Sequence, residues 1–323
     1  MKSDAIVLLS KQAGVTSFSS LGNVKKALLT SKVGHTGTLD SFAEGLLVVC
    51  TGRYTKLCGQ ITAFDKSYEA VIHFGKETDT LEYTGNVVYT ADLPTEENLK
   101  EALLKWTGKF MQKPPLFSAI HIDGQRASVL ARDGKDFEIA ARPVEVFNSE
   151  ILELKKDKDS KRVEYARISF SVSKGTYIRS LARDIALSCG SRAYLTGLYR
   201  TKVGKFKVED SAGFSLLEAF TIENAIRKEQ KFSSKKSIAE NEKKTGKKEL
   251  SPNDLYIQNE ILQKLQDVDL ETAEMCGFQT IFLKKDDNEW VKAFKSGKPL
   301  KSVMFEKNLW DFPAGSSIAV FER

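Results

Sequence analysis

The stretch Gly34-His35-Thr36-Gly37-Thr38-Leu39-Asp40 is followed within a few residues by the apolar run Leu-Leu-Val-Val-Cys at 46–50. The first stretch has two glycines and no apolar periodicity, which predicts a loop, whereas the second predicts a short buried strand. An acidic residue on a loop that is fixed to a rigid strand is a common catalytic arrangement. The alternative is that Asp40 only caps the following turn through backbone hydrogen bonds.

On both sides of this stretch the chain mixes predicted strands and helices in irregular order. Alternating or uninterrupted apolar residues predict strands at 5–9, 68–74, 163–172 and 196–203. Helical spacing, capping residues and a terminal glycine predict helices at 19–29, 95–106, 177–188 and 214–227. Without a regular strand–helix alternation, this order favours an α+β fold over a doubly wound parallel sheet.

Two arginines in the predicted helix 177–188 are a second candidate for chemistry. Arg179 and Arg183 are four residues apart and therefore share one helical face, with Tyr177 near the helix start. An arginine beside a carboxylate favours its ionised form and fixes its orientation through paired hydrogen bonds. The alternatives are a solvated basic face, or an ion pair between Arg183 and an aspartate that has structural value only.

Tyr68 is a third candidate, because it stands at the start of the predicted strand 68–74. A tyrosine in that position can stack on a nucleobase or move a proton. Half-buried packing is the alternative, since tyrosines at strand starts more often have that role.

The composition indicates a protein of about two domains with an anionic partner. The chain has 323 residues, 41% of them hydrophobic, and its 49 Lys and Arg exceed its 43 Asp and Glu for a net charge of +6. A Lys-rich stretch at 231–250 is poor in apolar residues and reads as a linker. A positive surface is typical of nucleic-acid binding, although a merely solvated surface is the alternative.

Several classes of protein are disfavoured by the sequence. No apolar stretch approaches the roughly 20 residues of a membrane span, and the first apolar run is too short for a secretory signal. We therefore expect a cytoplasmic protein. Its four cysteines form no CxxC pair and there are only three histidines, so we predict reduced thiols and no metal site.

The motifs GHTGTLD at 34–40 and SKGTYIR at 173–179, in this order and spacing, resemble the TruB family of tRNA pseudouridine synthases. The similarity extends over about the first 220 residues, through segments 10–17, 74–80, 114–119 and 198–200. It implies a catalytic domain at 1–230, with a mixed, largely antiparallel sheet flanked by helices and an RNA-gripping insertion at 121–144. The linker 231–250 leads to a small β-rich module at 251–323, which more weakly resembles a PUA-like RNA-binding domain.

The resemblance also implies an activity and a set of site residues. Enzymes of this family convert a T-loop uridine of tRNA, at position 55, to pseudouridine by flipping the base out and rearranging its N-glycosidic bond to a C-glycosidic bond. No cofactor is implied. Asp40 matches the catalytic aspartate, as nucleophile or as base, Arg179 its arginine partner, and Tyr68 the tyrosine that stacks on the uracil. His35, Tyr177 and Leu198 match residues that hold the opened loop or line the pocket.

The expected protein is thus a monomeric enzyme that needs only the T-arm stem-loop of tRNA and no protein partner. Three other interpretations of the sequence compete with it. One is a non-catalytic RNA-binding or tRNA-folding protein, which the intact set Asp40, Tyr68 and Arg179 disfavours. Another is the catalytic subunit of an RNA-guided pseudouridylation complex, which predicts dependence on partner proteins and a guide RNA. A hydrolase of N-glycosidic bonds is a third, disfavoured because no second carboxylate is obviously paired with Asp40.

Overall fold

The computed structural model describes most of the chain. The described residues are 4–122, 124–236, 251–283, 291–292, 296, 301, 304–307, 311–313 and 316–321. No helix within these ranges is both long and apolar enough to cross a bilayer.

Strands outnumber helices in the described residues. The strands are β1 Ile6–Lys11, β2 Val33–His35, β3 Glu44–Thr51, β4 Lys66–Phe74, β5 Lys76–Thr78, β6 Val87–Thr90, β7 Gly108–Gln112, β8 His121–Ile122, β9 Gln125–Arg126, β10 Arg142–Lys156, β11 Val163–Val172, β12 Ala193–Val203, β13 Phe206–Lys207, β14 Gln279–Phe282 and β15 Ile318–Phe321. The helices are α1 Ser17–Ala27, α2 Cys58–Thr62, α3 Glu96–Lys105, α4 Ala127–Arg132, α5 Ile178–Ser188, α6 Ile222–Lys236, α7 Pro252–Gln263 and α8 Leu270–Met275.

A nine-stranded sheet forms the centre of the described structure, in the order β1-β3-β12-β4-β11-β10-β7, with β2 beside β3 and β13 beside β12. All of its pairings are antiparallel except the one between β3 and β12. Successive residues of β4 face opposite sides: Ala70 and Ile72 pack in the core that contains α3 and α5, whereas Val71 packs against α6. The predicted α+β fold, a largely antiparallel sheet flanked by helices, is confirmed.

Helix ends follow the local capping chemistry. Thr16 and Thr95 cap α1 and α3, and each side-chain hydroxyl accepts a hydrogen bond from the backbone N–H three residues on. Helix α5 ends before Gly190, whose φ of +68° is a left-handed conformation that suits glycine. The helices predicted at these three places are therefore present, with ends that differ by one or two residues.

Two predictions of secondary structure were wrong in part. The predicted loop 34–40 begins with β2, because Val33, Gly34 and His35 pair with β3. The predicted helix 214–227 is only a single 3₁₀ turn at Phe214–Leu216, and α6 begins at Ile222. The Thr221 hydroxyl accepts from the Asn224 N–H at 3.2 Å, and this cap starts the helix later than the apolar pattern suggested.

The stretch predicted as a linker, 231–250, is helical in its first part. Helix α6 runs to Lys236, into the Lys-rich stretch, while residues 237–250 lie outside the described residues. Helix α7 packs on the body of the protein, because Ile257 and Ile261 share a core with Val7 and Leu21. Beyond it come α8 and the parallel pair β14–β15. Most of the segments 294–299 and 313–315, on which the PUA-like resemblance depended, fall outside the described residues.

Candidate active site

Asp40 lies on a loop, residues 36–43, that connects β2 to β3 and is here called the Asp40 loop. The Thr36 N–H donates to the Val48 carbonyl at 2.9 Å, which fixes the start of the loop. The buried Ser17 hydroxyl both donates to the Leu39 carbonyl, at 3.0 Å, and accepts from the Leu39 N–H, at 2.9 Å. Both backbone polar groups of Leu39, the residue before Asp40, are therefore hydrogen-bonded to Ser17.

Lys11, at the end of β1, holds the other side of the Asp40 loop. Its side chain is fully buried, and Nζ lies within hydrogen-bonding distance of four carbonyl oxygens. Two of them, those of Ser41 at 3.3 Å and Ala43 at 2.6 Å, belong to the loop, and the others are those of Gln12 and Val15. A buried ammonium needs such a set of acceptors, so Lys11 ties the loop to the turn after β1.

Arg200, on β12, is a second buried cation behind the loop. It donates to the Leu46 carbonyl at 2.8 Å and to the Gly37 carbonyl at 3.1 Å. The close approach of the strands here depends on Gly45, whose φ is +105° and whose Cβ, if it had one, would lie 2.4 Å from the Arg200 carbonyl oxygen. Any side chain at position 45 would push β3 away from β12.

Asp40 and Arg179 form a bidentate ion pair. Arg179 Nε lies 2.9 Å from Asp40 Oδ2 and Nη2 lies 3.0 Å from Oδ1. The guanidinium also donates to the carbonyls of Thr80, at 2.9 Å, and Phe117, at 3.0 Å, so all three of its nitrogens are engaged. Its side chain is 4% exposed, whereas that of Asp40 is 35% exposed. A fixed cation therefore orients a carboxylate that still reaches solvent.

The turn-capping alternative for Asp40 is not what the structure shows. Within the described residues, its carboxylate accepts hydrogen bonds from Arg179, and the turn is closed by its backbone carbonyl, which accepts from the Ala43 N–H at 3.2 Å. The other arginine of the helix, Arg183, pairs with Asp184 at 2.8 Å and is not part of this arrangement.

Tyr177 stands at the start of α5, two residues before Arg179. Its N–H donates to Gln112 Oε1 at 2.8 Å and its carbonyl accepts from Gln112 Nε2 at 3.1 Å, so a buried side chain of β7 fixes the backbone here. Burial raises the pKa of the Tyr177 phenol, and the charge of Asp40 adds to the shift while Arg142 and Arg179 oppose it. The phenol is thus close enough to Asp40 to sense its charge, and it is protonated at neutral pH.

Tyr68 and Leu198 lie on neighbouring strands of the same core face. Tyr68 is half-buried and packs against the cluster that contains Leu39, Phe170 and Leu198. In the sheet register Tyr68 is opposite Arg200, and Leu198 is opposite Ala70. Leu39, the residue that precedes Asp40, belongs to the same core cluster.

His35 lies in β2, where it pairs with Val49 in the register. Its Nδ1 is buried and makes no hydrogen bond within the described residues. Burial, with a smaller contribution from the Arg200 charge, lowers the pKa of the imidazole, so the ring is neutral at pH 7. A neutral ring with an uncommitted nitrogen is suited to a hydrogen bond with a bound ligand.

Glu82 is a second carboxylate near the pair that the sequence analysis did not find. It lies on the loop 79–86, here called the Glu82 loop, and accepts from the Thr84 hydroxyl at 2.6 Å. Burial raises the pKa of Glu82 to about 7, the charge of Asp40 adds to the shift, and Arg179 opposes it. Since Thr80 of the same loop accepts from Arg179, this loop places both an acceptor and a weakly acidic carboxyl beside the guanidinium.

The raised pKa of Glu82 predicts a pH-dependent stability. The folded protein holds this proton up to about pH 7, whereas an unfolded glutamate loses it near pH 4.3, so stability falls as the pH rises between these values. Glu82→Gln cannot ionise. We expect its free energy of unfolding, relative to the wild type, to rise by about 3 kcal/mol between pH 5 and pH 8 in urea titrations.

The control for this prediction is Glu97→Gln, which changes an exposed carboxylate of α3. Its difference from the wild type should be the same at both pH values. A difference for Glu82→Gln that did not change with pH would contradict the assignment of a raised pKa to this residue.

The insertion 121–144 begins with β8, β9 and α4 and carries exposed basic side chains, which are Arg126, Arg132, Lys135 and Arg142. Two backbone hydrogen bonds hold its helix to the segment before it: Ala127 N–H donates to the Ile120 carbonyl at 2.8 Å, and Ser128 N–H donates to the Ser118 carbonyl at 3.1 Å. The insertion is therefore attached next to Phe117, whose carbonyl accepts from Arg179.

Sequence reasoning assigned no role to Lys11, Ser17, Glu82 or Arg200. The sequence does contain a signal for two of them, because Lys11 lies at the end of a mostly apolar strand and Arg200 lies within a strand. Such charged residues are almost never fully buried unless paired. Ser17 and Glu82 have no comparable signal, since serine and glutamate are ordinary residues in a helix or loop.

Known proteins resemble the chain over most of its length. Residues 25–178 match the family described as TruB family pseudouridylate synthase, N terminal domain. A tRNA pseudouridine synthase B of Treponema denticola is 42% identical, over 94% of this chain and 86% of the relative. Another, of Borreliella burgdorferi, is 47% identical over 64% of this chain and 72% of the relative.

A solved structure shares the fold. A chain from the crystal structure of a Cbf5-Nop10-Gar1 complex superimposes with a TM-score of 0.58 at 23% identity, covering 98% of this chain and 74% of that chain. At this level of identity the likeness shows a shared fold, that is, a shared arrangement of strands and helices.

Proposed function

The chain belongs to the TruB family of pseudouridylate synthases, and from this premise we propose that it is a cytoplasmic enzyme that converts uridine 55 in the T-loop of tRNA to pseudouridine. The observation that carries the proposal is the bidentate Asp40–Arg179 pair, in which a buried guanidinium holds a partly exposed carboxylate. An oriented carboxylate at a sugar carbon that loses its leaving group is the arrangement used in glycoside chemistry.

In the proposed reaction Asp40 acts at the ribose, as nucleophile or as base. The bond between C1′ and the uracil nitrogen breaks, the uracil turns, and C5 bonds to C1′ while the C5 proton is lost and the nitrogen gains one. No atom is gained or lost overall, so this isomerisation needs no redox partner. Arg179 keeps Asp40 oriented throughout, because its remaining hydrogen bonds to Thr80 and Phe117 do not depend on the substrate.

Binding requires the target base to leave the stack of the T-loop, at a cost of a few kcal/mol. Stacking on an aromatic ring recovers about 1–3 kcal/mol per base, and we assign this role to the half-buried ring of Tyr68. We also assign to Tyr68 a part in removing the C5 proton. Tyr177 and Leu198 line the pocket, and His35, neutral and with a free Nδ1, holds the opened loop.

The rest of the tRNA arm is held through its phosphates. The exposed basic residues of the insertion 121–144 supply positive charge beside the site, and phosphate contacts of this kind fix position without reading sequence. The T-arm stem-loop is therefore a sufficient substrate in this proposal, and the protein acts as a monomer without a guide RNA or a protein partner.

The test is tritium release from an unmodified T-arm stem-loop transcript that carries 5-tritiated uridine. Because the C5 hydrogen is lost when the base reattaches, we expect the purified protein to release the label of one uridine per transcript with no added factor. A transcript with cytidine at position 55 should release none. Release that required added protein and guide RNA would favour the RNA-guided reading, and no release under either condition would refute the proposed reaction.

A further inference from the structure

Helix α6 lies behind the Asp40 loop and the Glu82 loop, and it carries none of the residues assigned to the reaction or to RNA binding. We propose that its inner face, defined as Ile222, Ala225, Lys228, Glu229 and Phe232, positions these two loops for catalysis, with Lys228 and Phe232 as the positioning residues. The inference rests on the proposed function, because its readout is the rate of pseudouridine formation.

Lys228 holds the end of the Asp40 loop. Its Nζ donates to both oxygens of Glu44, at 2.7 and 2.9 Å, and the Glu44 side chain is only 7% exposed. Glu44 directly follows Ala43, whose carbonyl accepts from Lys11. The exit of the loop is therefore clamped from two directions, by a cation of β1 and by a cation of α6.

Phe232 reaches both loops through a row of aromatic rings. Its ring packs edge-on against Tyr83, with centroids 5.5 Å apart, and Tyr83 packs edge-on against Phe42, with centroids 5.8 Å apart. Phe42 is two residues after Asp40, and Tyr83 directly follows Glu82. Edge-to-face pairs contribute beyond the area that they bury, so this row resists movement of either loop.

The helix itself is firmly attached to the sheet, which makes it a rigid support. Ile222 and Ala225 are buried against β4 and β11. Glu229 accepts from the Tyr194 hydroxyl at 2.7 Å, and that hydroxyl lies 2.6 Å from the buried His73 Nδ1. Each residue of the inner face lies three or four positions from another of them, so one side of α6 meets the sheet at its start and the two loops at its end.

Positioning of this kind affects the rate more than the binding. The Asp40 carboxylate must lie close to the orientation that the reaction requires, and a displacement of about 1 Å can cost roughly a hundredfold in rate. Exposed basic residues that would contact phosphates lie on the insertion 121–144, not on the inner face of α6. Loss of the α6 contacts should therefore lower the turnover rate and leave RNA affinity nearly unchanged.

The test compares Phe232→Ala and Lys228→Met with the wild type, using single-turnover tritium release and the Kd for the same T-arm transcript. We expect each variant to lower the rate about tenfold to a hundredfold, with Kd within about twofold. The conservative variants Phe232→Tyr and Lys228→Arg should recover most of the rate. Gln230→Ala, on the exposed side of the same helix, is the matched control and should behave as the wild type.

The possible results separate the positioning role from mere folding and from the proposed function. Rates within twofold of the wild type for both Phe232→Ala and Lys228→Met would overturn the inference. So would losses of rate and of affinity in equal proportion, together with a lowered Tm, because a purely structural helix predicts that pattern. A wild-type protein that released no tritium would instead overturn the proposed function.

Discussion

Asp40→Asn is expected to lower the rate of pseudouridine formation by at least about a thousandfold while the Kd for the T-arm transcript stays within a few-fold. An amide can neither attack the ribose nor accept its proton, so either role of Asp40 is lost. The fold should survive, because the loop is held by Lys11, Ser17 and Arg200 and not by the carboxylate. The measurement is single-turnover tritium release, with RNA affinity determined in parallel.

Asp184→Asn is the matched control for this variant. It also replaces an aspartate that pairs with an arginine of α5, at 2.8 Å, but the other hydrogen bond of that arginine is to the Lys113 carbonyl and not to the Asp40 loop. It should retain a rate near that of the wild type. If Asp40→Asn retained such a rate, the assignment of the catalytic carboxylate would be wrong.

Arg179→Lys is expected to lower the rate by about a hundredfold, although the charge is kept. The Arg179 guanidinium donates two parallel hydrogen bonds to Asp40 and one hydrogen bond each to the Thr80 and Phe117 carbonyls. An ammonium has three donors on one atom and cannot reproduce this planar geometry. Asp40 would lose its fixed orientation, and at least one buried carbonyl would lose its partner.

The control for Arg179→Lys is Arg183→Lys, one helical turn along the same face. Arg183 donates hydrogen bonds to Asp184 and to the Lys113 carbonyl. Its replacement should therefore change the free energy of unfolding only slightly and the rate of pseudouridine formation hardly at all. Equal effects of the two lysine substitutions would show that the geometry of the Asp40–Arg179 pair is not what the reaction depends on.

The sequence predicts the fold best where a segment has one buried face. Strand β11, at Val163–Val172, and helix α3, with its Thr95 cap, lie where the periodicity and the capping residue placed them. The prediction started helix α6 too early. The apolar residues of the segment 214–220 do pack against the core, but they lie in a 3₁₀ turn and an irregular segment and not in a helix. The spacing of apolar residues indicates which residues are buried, and it indicates a helix only where the backbone is regular.

The site was predictable only in part from residue chemistry. Taken alone, Asp40 read as a turn cap and Arg179 as part of a basic face, because nothing local indicates that residues 139 positions apart pair with each other. The family motifs supplied that pairing. Glu82 and Lys228 have no local signal, since their roles depend on burial and on partners, Asp40 and Glu44, that only the tertiary fold brings near.

The parallel pairing of β3 with β12 brings Glu44 beside Tyr199, and the Asp40–Arg179 pair spans a similar length of chain. Contacts of such high sequence separation require a long loop to close before they contribute to stability. During synthesis the ribosome must therefore release most of the protein before the carboxylate meets its guanidinium. A nascent or truncated chain that ends between the insertion and Arg179 would carry the insertion's basic residues but not the guanidinium, so under the proposed function it would capture RNA and be unable to modify it.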